Sequence, residues 1–430
     1  MKRRLFVGSM GAGSMLGALG GLSLLSGCAT SGGGNGPKVV VVGGGFGGAT
    51  AAKYVRMWSD YGISVTLVEP NTSFVSCPIS NLVLGGVKTM ADITSSYDSL
   101  SKVHGVQLVR DSVTAIDAEK RVVKLAGGSE LPYDRLILSP GIDFMFETLP
   151  GMASAAAKDK VLHAWKAGAQ TVALRQQLEA MPDGGVYALS IPQAPYRCPP
   201  GPYERACQVA SYFAKAKPKS KVLILDGNDD VTSKGPLFKK AWAERYKGIV
   251  EYRPKHVLTD VDVAGNTLKF EFSDDVKANV LNVIPPMRAG AIAVSSGLAT
   301  ANKRWCEVDF LTFEAKAAKN IHVLGDSIQV APLMPKSGHM ANQHAKVCAA
   351  AVVALLTGKE VNSAPVYNNT CYSFVSPEDV VHVASVHVYD PAKKTMVTVP
   401  GSGGVSKAAN ELEGRIAMGW ARGIWTDTLG

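Results

Sequence analysis

Cys198 lies in Tyr196-Arg197-Cys198-Pro199-Pro200-Gly201-Pro202-Tyr203-Glu204-Arg205-Ala206, a sulfur nucleophile set among prolines. The strand-like run Gly185-Val186-Tyr187-Ala188-Leu189-Ser190-Ile191 leads to it through Pro192-Gln193-Ala194-Pro195. In a nucleotide-binding βαβ unit this turn would read Gly-x-Gly-x-x-Gly, with free N–H groups to receive a pyrophosphate. Prolines remove such donors and block close approach. This part of the chain therefore has no nicotinamide loop and carries sulfur in its place. The missing loop has a counterpart earlier, Gly43-Gly44-Gly45-Phe46-Gly47-Gly48, with Gly43, Gly45 and Gly48 at the fingerprint positions. Together these segments suggest a flavoprotein that keeps an FAD site, lacks a nicotinamide site and uses redox sulfur.

The elements around these residues support that placement. Lys38–Val42 reads as a short buried strand, followed by a helix with small residues Ala49, Ala51 and Ala52 on its packed side. Ser64–Val68 reads as the next strand, and Glu69 at its end is placed to accept hydrogen bonds from ribose hydroxyls. Tyr133-Asp134-Arg135-Leu136-Ile137-Leu138-Ser139-Pro140-Gly141 reads as a strand returning to the same domain, or equally as any buried strand ending in a Pro-Gly turn. Ile321-His322-Val323-Leu324-Gly325-Asp326 is a strand ending in Gly-Asp, where Asp326 would face the ribityl or phosphate side of the cofactor. Lys221–Leu225 ends at Asp226, the position of an acidic ribose ligand in a working nicotinamide domain.

The expected fold is α/β, with two Rossmann-like dinucleotide-binding domains, the second without a nicotinamide loop, plus a C-terminal α+β interface domain. The expected boundaries are 38–155 and 291–358 for the two parts of the FAD-binding domain. Residues 156–290 form the degenerate domain and 359–430 the interface domain. Trp420 and Trp425 read as exposed aromatics of an interface, with dimerisation or core packing as alternatives.

Composition narrows the class. The 430 residues, 46% hydrophobic with 44 glycines, suit a multidomain α/β enzyme. The net charge of +9 falls to +6 once Lys2, Arg3 and Arg4 are set aside, and no run of like charges interleaves with aromatics. Nucleic acid is therefore not an expected partner. Residues 1–37 read as a targeting segment and tether: Arg3-Arg4-Leu5-Phe6-Val7 is a twin-arginine pattern, which exports folded proteins. Leu25-Ser26-Gly27-Cys28 resembles a lipoprotein signal with Cys28 as the acylated residue; ordinary signal cleavage is the alternative. The expected location is periplasmic, with membrane contact only through that anchor. No Cys-x-x-Cys occurs and the eight histidines lack ligand spacing, so neither a metal site nor a haem of the chain's own is expected.

The chain closely resembles the flavoprotein subunits of flavocytochrome c sulfide dehydrogenase. The resemblance runs from about Lys38 onward and rests on several blocks. These are the Gly43-to-Gly48 turn, Phe74-Val75-Ser76-Cys77-Pro78-Ile79-Ser80-Asn81, the segment around Cys198, Met334-Pro335-Lys336-Ser337-Gly338 and Asn369-Thr370-Cys371-Tyr372-Ser373. It implies FAD attached covalently through Cys77; read alone, Cys77 is a small loop cysteine. It implies a redox disulfide between Cys198 and Cys371, with a long structural staple as the alternative. Sulfide would then open the bridge by thiol–disulfide exchange, leaving a persulfide and a thiolate that reduces the flavin.

Near that sulfur, Glu204 is the candidate acid/base, or an ordinary glutamate of a helix N-terminus. Lys336 is the candidate cation that stabilises reduced flavin and attracts HS⁻, or a surface lysine at a helix start. The expected reaction is FAD-dependent oxidation of hydrogen sulfide to sulfur or polysulfide, with electrons leaving to a c-type cytochrome subunit. A quinone-linked sulfide oxidoreductase, a flavoprotein assisting a periplasmic thiosulfate-oxidising system, and a non-catalytic electron-transfer partner are the rival readings.

Overall fold

The computed structural model describes residues 36–430. The twin-arginine pattern, the lipoprotein-like Cys28 and nearly all of the expected tether lie outside the described residues.

Two parallel sheets carry the α/β architecture. The first runs in the order Ile321–Val323, Arg135–Leu138, Lys38–Val42, Ser64–Val68, Gln107–Val109, every neighbouring pair parallel. Its central strands are uninterrupted apolar runs because both faces are covered. Val41, Leu67, Leu136 and Ile137 are wholly inaccessible, each contributing about 1.5–3 kcal/mol by leaving water. The helix Phe46–Trp58 follows the first strand, and Ala49, Ala51 and Ala52 are buried on it. The helix packs against Gly338–Thr357, on which Ala341, Ala345 and Ala349 are buried. The second sheet is Val250–Arg253, Lys221–Asp226, Val186–Ile191, Val280–Val283, again parallel throughout.

The third layer is antiparallel. Val366–Phe374 pairs with Val380–Asp390, which pairs in turn with Thr395–Thr398 and with Gly404–Val405. The closing helix Glu411–Leu429 is capped by Asn410, whose side chain accepts from the Glu413 N–H at 2.9 Å. Gly414, Ala417 and Ala421 form its buried face; a Cβ on Gly414 would stand 1.9 Å from the carbonyl oxygen of Glu378. Its far end is tied to the first domain: Asp427 accepts from Tyr54 Oη at 2.6 Å and pairs with Lys346 at 2.8 Å. Trp420 and Trp425 are thus half-buried and packed against the core, which bears out the core-packing alternative and not the exposed one. Among the described residues no helix is long and apolar enough to cross a membrane.

Candidate active site

The three layers meet around one cavity of about 520 Å³. Helices beginning at Phe46, Gly201 and Gly338 all open their N-termini onto it. Such ends present free N–H groups and a partial positive charge to whatever anion occupies the space.

At one end lies the glycine turn. Gly43 has φ +95°, and a Cβ on Gly48 would stand 1.8 Å from the Gly43 carbonyl oxygen, so neither position admits a side chain. Gly45 faces open space. Glu69 is clamped at the rim: Oε2 accepts from the Gly44 N–H at 2.7 Å, and Oε1 from the Asn71 backbone and side-chain amides at 2.8 and 2.6 Å. Each oxygen keeps further acceptor capacity toward the cavity. Gly141 and Asp326 line the same wall. Asp326 Oδ1 is buried with no partner among the described residues, an orphan acceptor that a cofactor hydroxyl would satisfy. The turn, the helix N-terminus, Glu69 and this orphan oxygen fit FAD.

The sulfur residues line the other part of the cavity. Cys77 follows the strand Ser73–Val75, its carbonyl fixed by the Ser80 hydroxyl at 2.6 Å and its Sγ receiving a hydrogen bond from Arg197 Nη2 at 3.2 Å. Cys198 has φ +57°, a costly conformation for a side-chain-bearing residue. It is held there because its N–H donates to the Lys336 carbonyl at 2.8 Å while its own carbonyl accepts from Gly201 at 2.9 Å. Its exposed surface opens onto the cavity. The surrounding protein matter pushes its thiol above the ordinary value; Cys371 and Glu204 reinforce that shift, while Arg197 and Lys234 oppose it. Cys371, from the antiparallel sheet, lines the same cavity, with Asn369 Nδ2 3.5 Å from its sulfur. Both cysteines carry free thiols here.

Glu204 stands in the first turn of the helix Gly201–Ala216 and also lines the cavity. Its oxygens accept from Asn81 Nδ2 at 2.8 Å and from the Phe374 N–H at 2.9 Å. Burial raises its carboxyl above the usual carboxylate range despite these donors, the tuning an acid/base group needs.

Lys336 departs from expectation. It is buried, and its ammonium turns beneath the Gly325-Asp326 turn to donate to the carbonyls of Asp326 at 2.9 Å and Ile328 at 2.5 Å. It also lies 3.7 Å from the Trp305 ring centroid. Burial lowers it to about 7. The ammonium is therefore committed to supporting the turn that carries Asp326 and does not stand free over the cavity. Asp226, too, is spent internally: Tyr203 and Tyr252 hydroxyls donate to Oδ2 at 2.7 and 3.1 Å and Asn228 to Oδ1, leaving no role toward a ribose. Among the described residues no cluster of three or more metal-ligating side chains occurs.

Several site residues escaped the sequence reading. Arg197 and Asn81 lie inside the very segments that drew attention to Cys198 and Cys77, so adjacency could have found them. Arg205 is almost wholly buried and donates to Asn81, Asn282 and the carbonyls of His163 and Ala164, bolting the helix of Glu204 to the cavity wall. Lys234 is buried against the Cys371 strand, and no local pattern announces it.

Comparison with known proteins gives a consistent picture. Residues 171–285 match the family described as Sulfide dehydrogenase (flavocytochrome c) flavoprotein chain, central. Residues 363–429 match Flavocytochrome c sulphide dehydrogenase, flavin-binding, and residues 37–187 match Pyridine nucleotide-disulphide oxidoreductase. A flavoprotein chain of sulfide dehydrogenase (flavocytochrome c) from Chlorobaculum thiosulfatiphilum is 70% identical over 46 residues, 11% of this chain and 94% of that one. The mitochondrial sulfide:quinone oxidoreductase of Mus musculus is 28% identical over 312 residues, 67% of this chain; the match spans 65% of the relative's length. The solved sulfide:quinone oxidoreductase of Aquifex aeolicus superposes with a TM-score of 0.73 at 17% identity, covering 91% of each chain, a likeness of fold.

Proposed function

Because the chain belongs to the family of flavocytochrome c sulfide dehydrogenase flavoprotein chains, we propose that it oxidises hydrogen sulfide to sulfur or polysulfide. The observation that carries this reading is that Cys198 and Cys371, distant in sequence, line the same cavity as the glycine turn. The two sulfurs, free thiols in the structure, would form a disulfide in the oxidised enzyme. HS⁻ adds to one sulfur, the S–S bond breaks, and its electron pair goes to the other sulfur, giving a persulfide and a thiolate. Glu204 takes the proton of incoming H₂S or of the persulfide, and its raised pKa suits that exchange. Asn369 and the Phe374 amide hold Cys371 and Glu204 in place. A second HS⁻ takes the outer sulfur of the persulfide as polysulfide and leaves two thiols; FAD, when bound, would supply the two-electron oxidant that returns them to the disulfide. Cys77 would attach that cofactor covalently.

The electron acceptor is proposed to be a c-type cytochrome subunit, and the working compartment the periplasm, on the strength of Arg3-Arg4. A quinone acceptor is the second reading, favoured by similarity to sulfide:quinone oxidoreductases. Anaerobic turnover with sulfide, supplied with either oxidised cytochrome c or a short-chain quinone, separates them. Cytochrome reduction without quinone reduction supports the first; the reverse pattern overturns it.

A further inference from the structure

Lys234 precedes the helix Gly235–Arg245 and has φ +57°. Its side chain runs inward to the Cys371 strand. Nζ donates to the Cys371 carbonyl at 3.0 Å and Ser373 Oγ at 2.7 Å, with the Val381 carbonyl at 3.5 Å and the Phe238 ring centroid at 5.9 Å. All these acceptors are neutral, and Lys234 makes no direct ion pair among the described residues. A buried ammonium with no anion in contact bears a desolvation cost that neutral hydrogen bonds only partly offset. The titratable groups facing it are Cys371 and Glu413 from the C-terminal layer, and Cys198 and Glu204 from the segment around the helix Gly201–Ala216. Burial lowers the ammonium to about 8, and these groups draw it back up.

We propose that Lys234 is the charge-compensating residue of the cysteine pair: its ammonium, anchored on the Cys371 strand, stabilises the sulfur anion left on Cys198 or Cys371 when their bond opens. It acts through space and is a positioning residue in that sense. The idea rests on the sulfide-oxidising reading only for the identity of the nucleophile; the anion is the same whatever thiol or reductant opens the bridge. Lys336 does not fill this role: its Nζ donates to the Asp326 and Ile328 carbonyls, and the titratable groups facing it are Asp326, Cys306 and Arg304, not the cysteine pair.

The test is the pH dependence of alkylation. The flavin-loaded full chain is reduced anaerobically with dithiothreitol, treated with iodoacetamide across a pH series, and modification at Cys198 and Cys371 is quantified by peptide mass spectrometry. Lys234→Gln keeps a hydrogen-bond donor and removes the charge. It should raise the lower of the two thiolate midpoints by about one pH unit, whereas Lys234→Arg should hold it near wild type. If Lys234→Gln does not fold, Lys234→Met serves as the neutral variant. Unchanged midpoints in the neutral variant, or an equal rise in Lys234→Arg, would overturn the proposal. A shifted midpoint in a protein inert to sulfide would keep Lys234 in this role and reject the sulfide reading instead.

Discussion

Arg197 joins the two sulfur sites: it precedes Cys198 in the chain, and its guanidinium donates to the sulfur of Cys77 at 3.2 Å. The segment that presents one cysteine thus also orients the other. Cys77→Ala should retain FAD in the folded protein but release it on acid precipitation, whereas wild type keeps its flavin colour in the pellet. Flavin in the wild-type supernatant would reject covalent attachment.

Glu204 links activity to stability. Its folded-state pKa lies above the ordinary value of 4.5 because burial disfavours the carboxylate. The native state therefore binds the proton more tightly than the unfolded chain, so the stability it contributes is fully present below pH 4.5 and is lost as pH rises through the folded pKa. Glu204→Gln should gain stability relative to wild type as pH rises from 4.5, while sulfide turnover falls by about 10²-fold. Paired denaturation series at acidic and neutral pH, with turnover assays alongside, check both. A variant with wild-type turnover would remove Glu204 from the reaction.

Arg205 is the structural counterpart. It satisfies Asn81, Asn282 and two carbonyls and stacks 4.8 Å from the Trp165 ring centroid. Arg205→Met leaves Asn81 Oδ1 and the Ala164 carbonyl without their donor, while Asn282 Oδ1 and the His163 carbonyl keep Tyr187 and Asn282, so unfolding free energy should drop by about 3 kcal/mol. Chemical denaturation of the flavin-loaded protein measures it, and a loss below about 1 kcal/mol would contradict the assignment.

The legible parts of the site are those in which local sequence dictates local geometry. Gly43 and Gly48 are readable because the turn admits no Cβ, and Asp326 because a strand ending in Gly-Asp delivers its carboxylate to the sheet edge. The missing glycine loop before Cys198 was visible as prolines. Lys234 was not legible, since its meeting with Cys371 exists only once the C-terminal sheet docks against the second domain. Lys336 lines the cavity, as its place in the chain suggests, but the Asp326 and Ile328 carbonyls and Trp305 that hold its ammonium are tertiary neighbours that no local pattern announces. Trp420 and Trp425 left exposed and core readings open because Gly414, Ala417 and Ala421, which lay the helix down, make too weak a pattern alone.

Anaerobic flavin absorbance of the purified protein, recorded on adding sulfide and separately NADH, tests the central claim most directly, with Cys198→Ser as the control. Bleaching of wild type by sulfide alone, abolished in Cys198→Ser, is the predicted result. Bleaching by NADH, or undiminished bleaching by sulfide in Cys198→Ser, would contradict it.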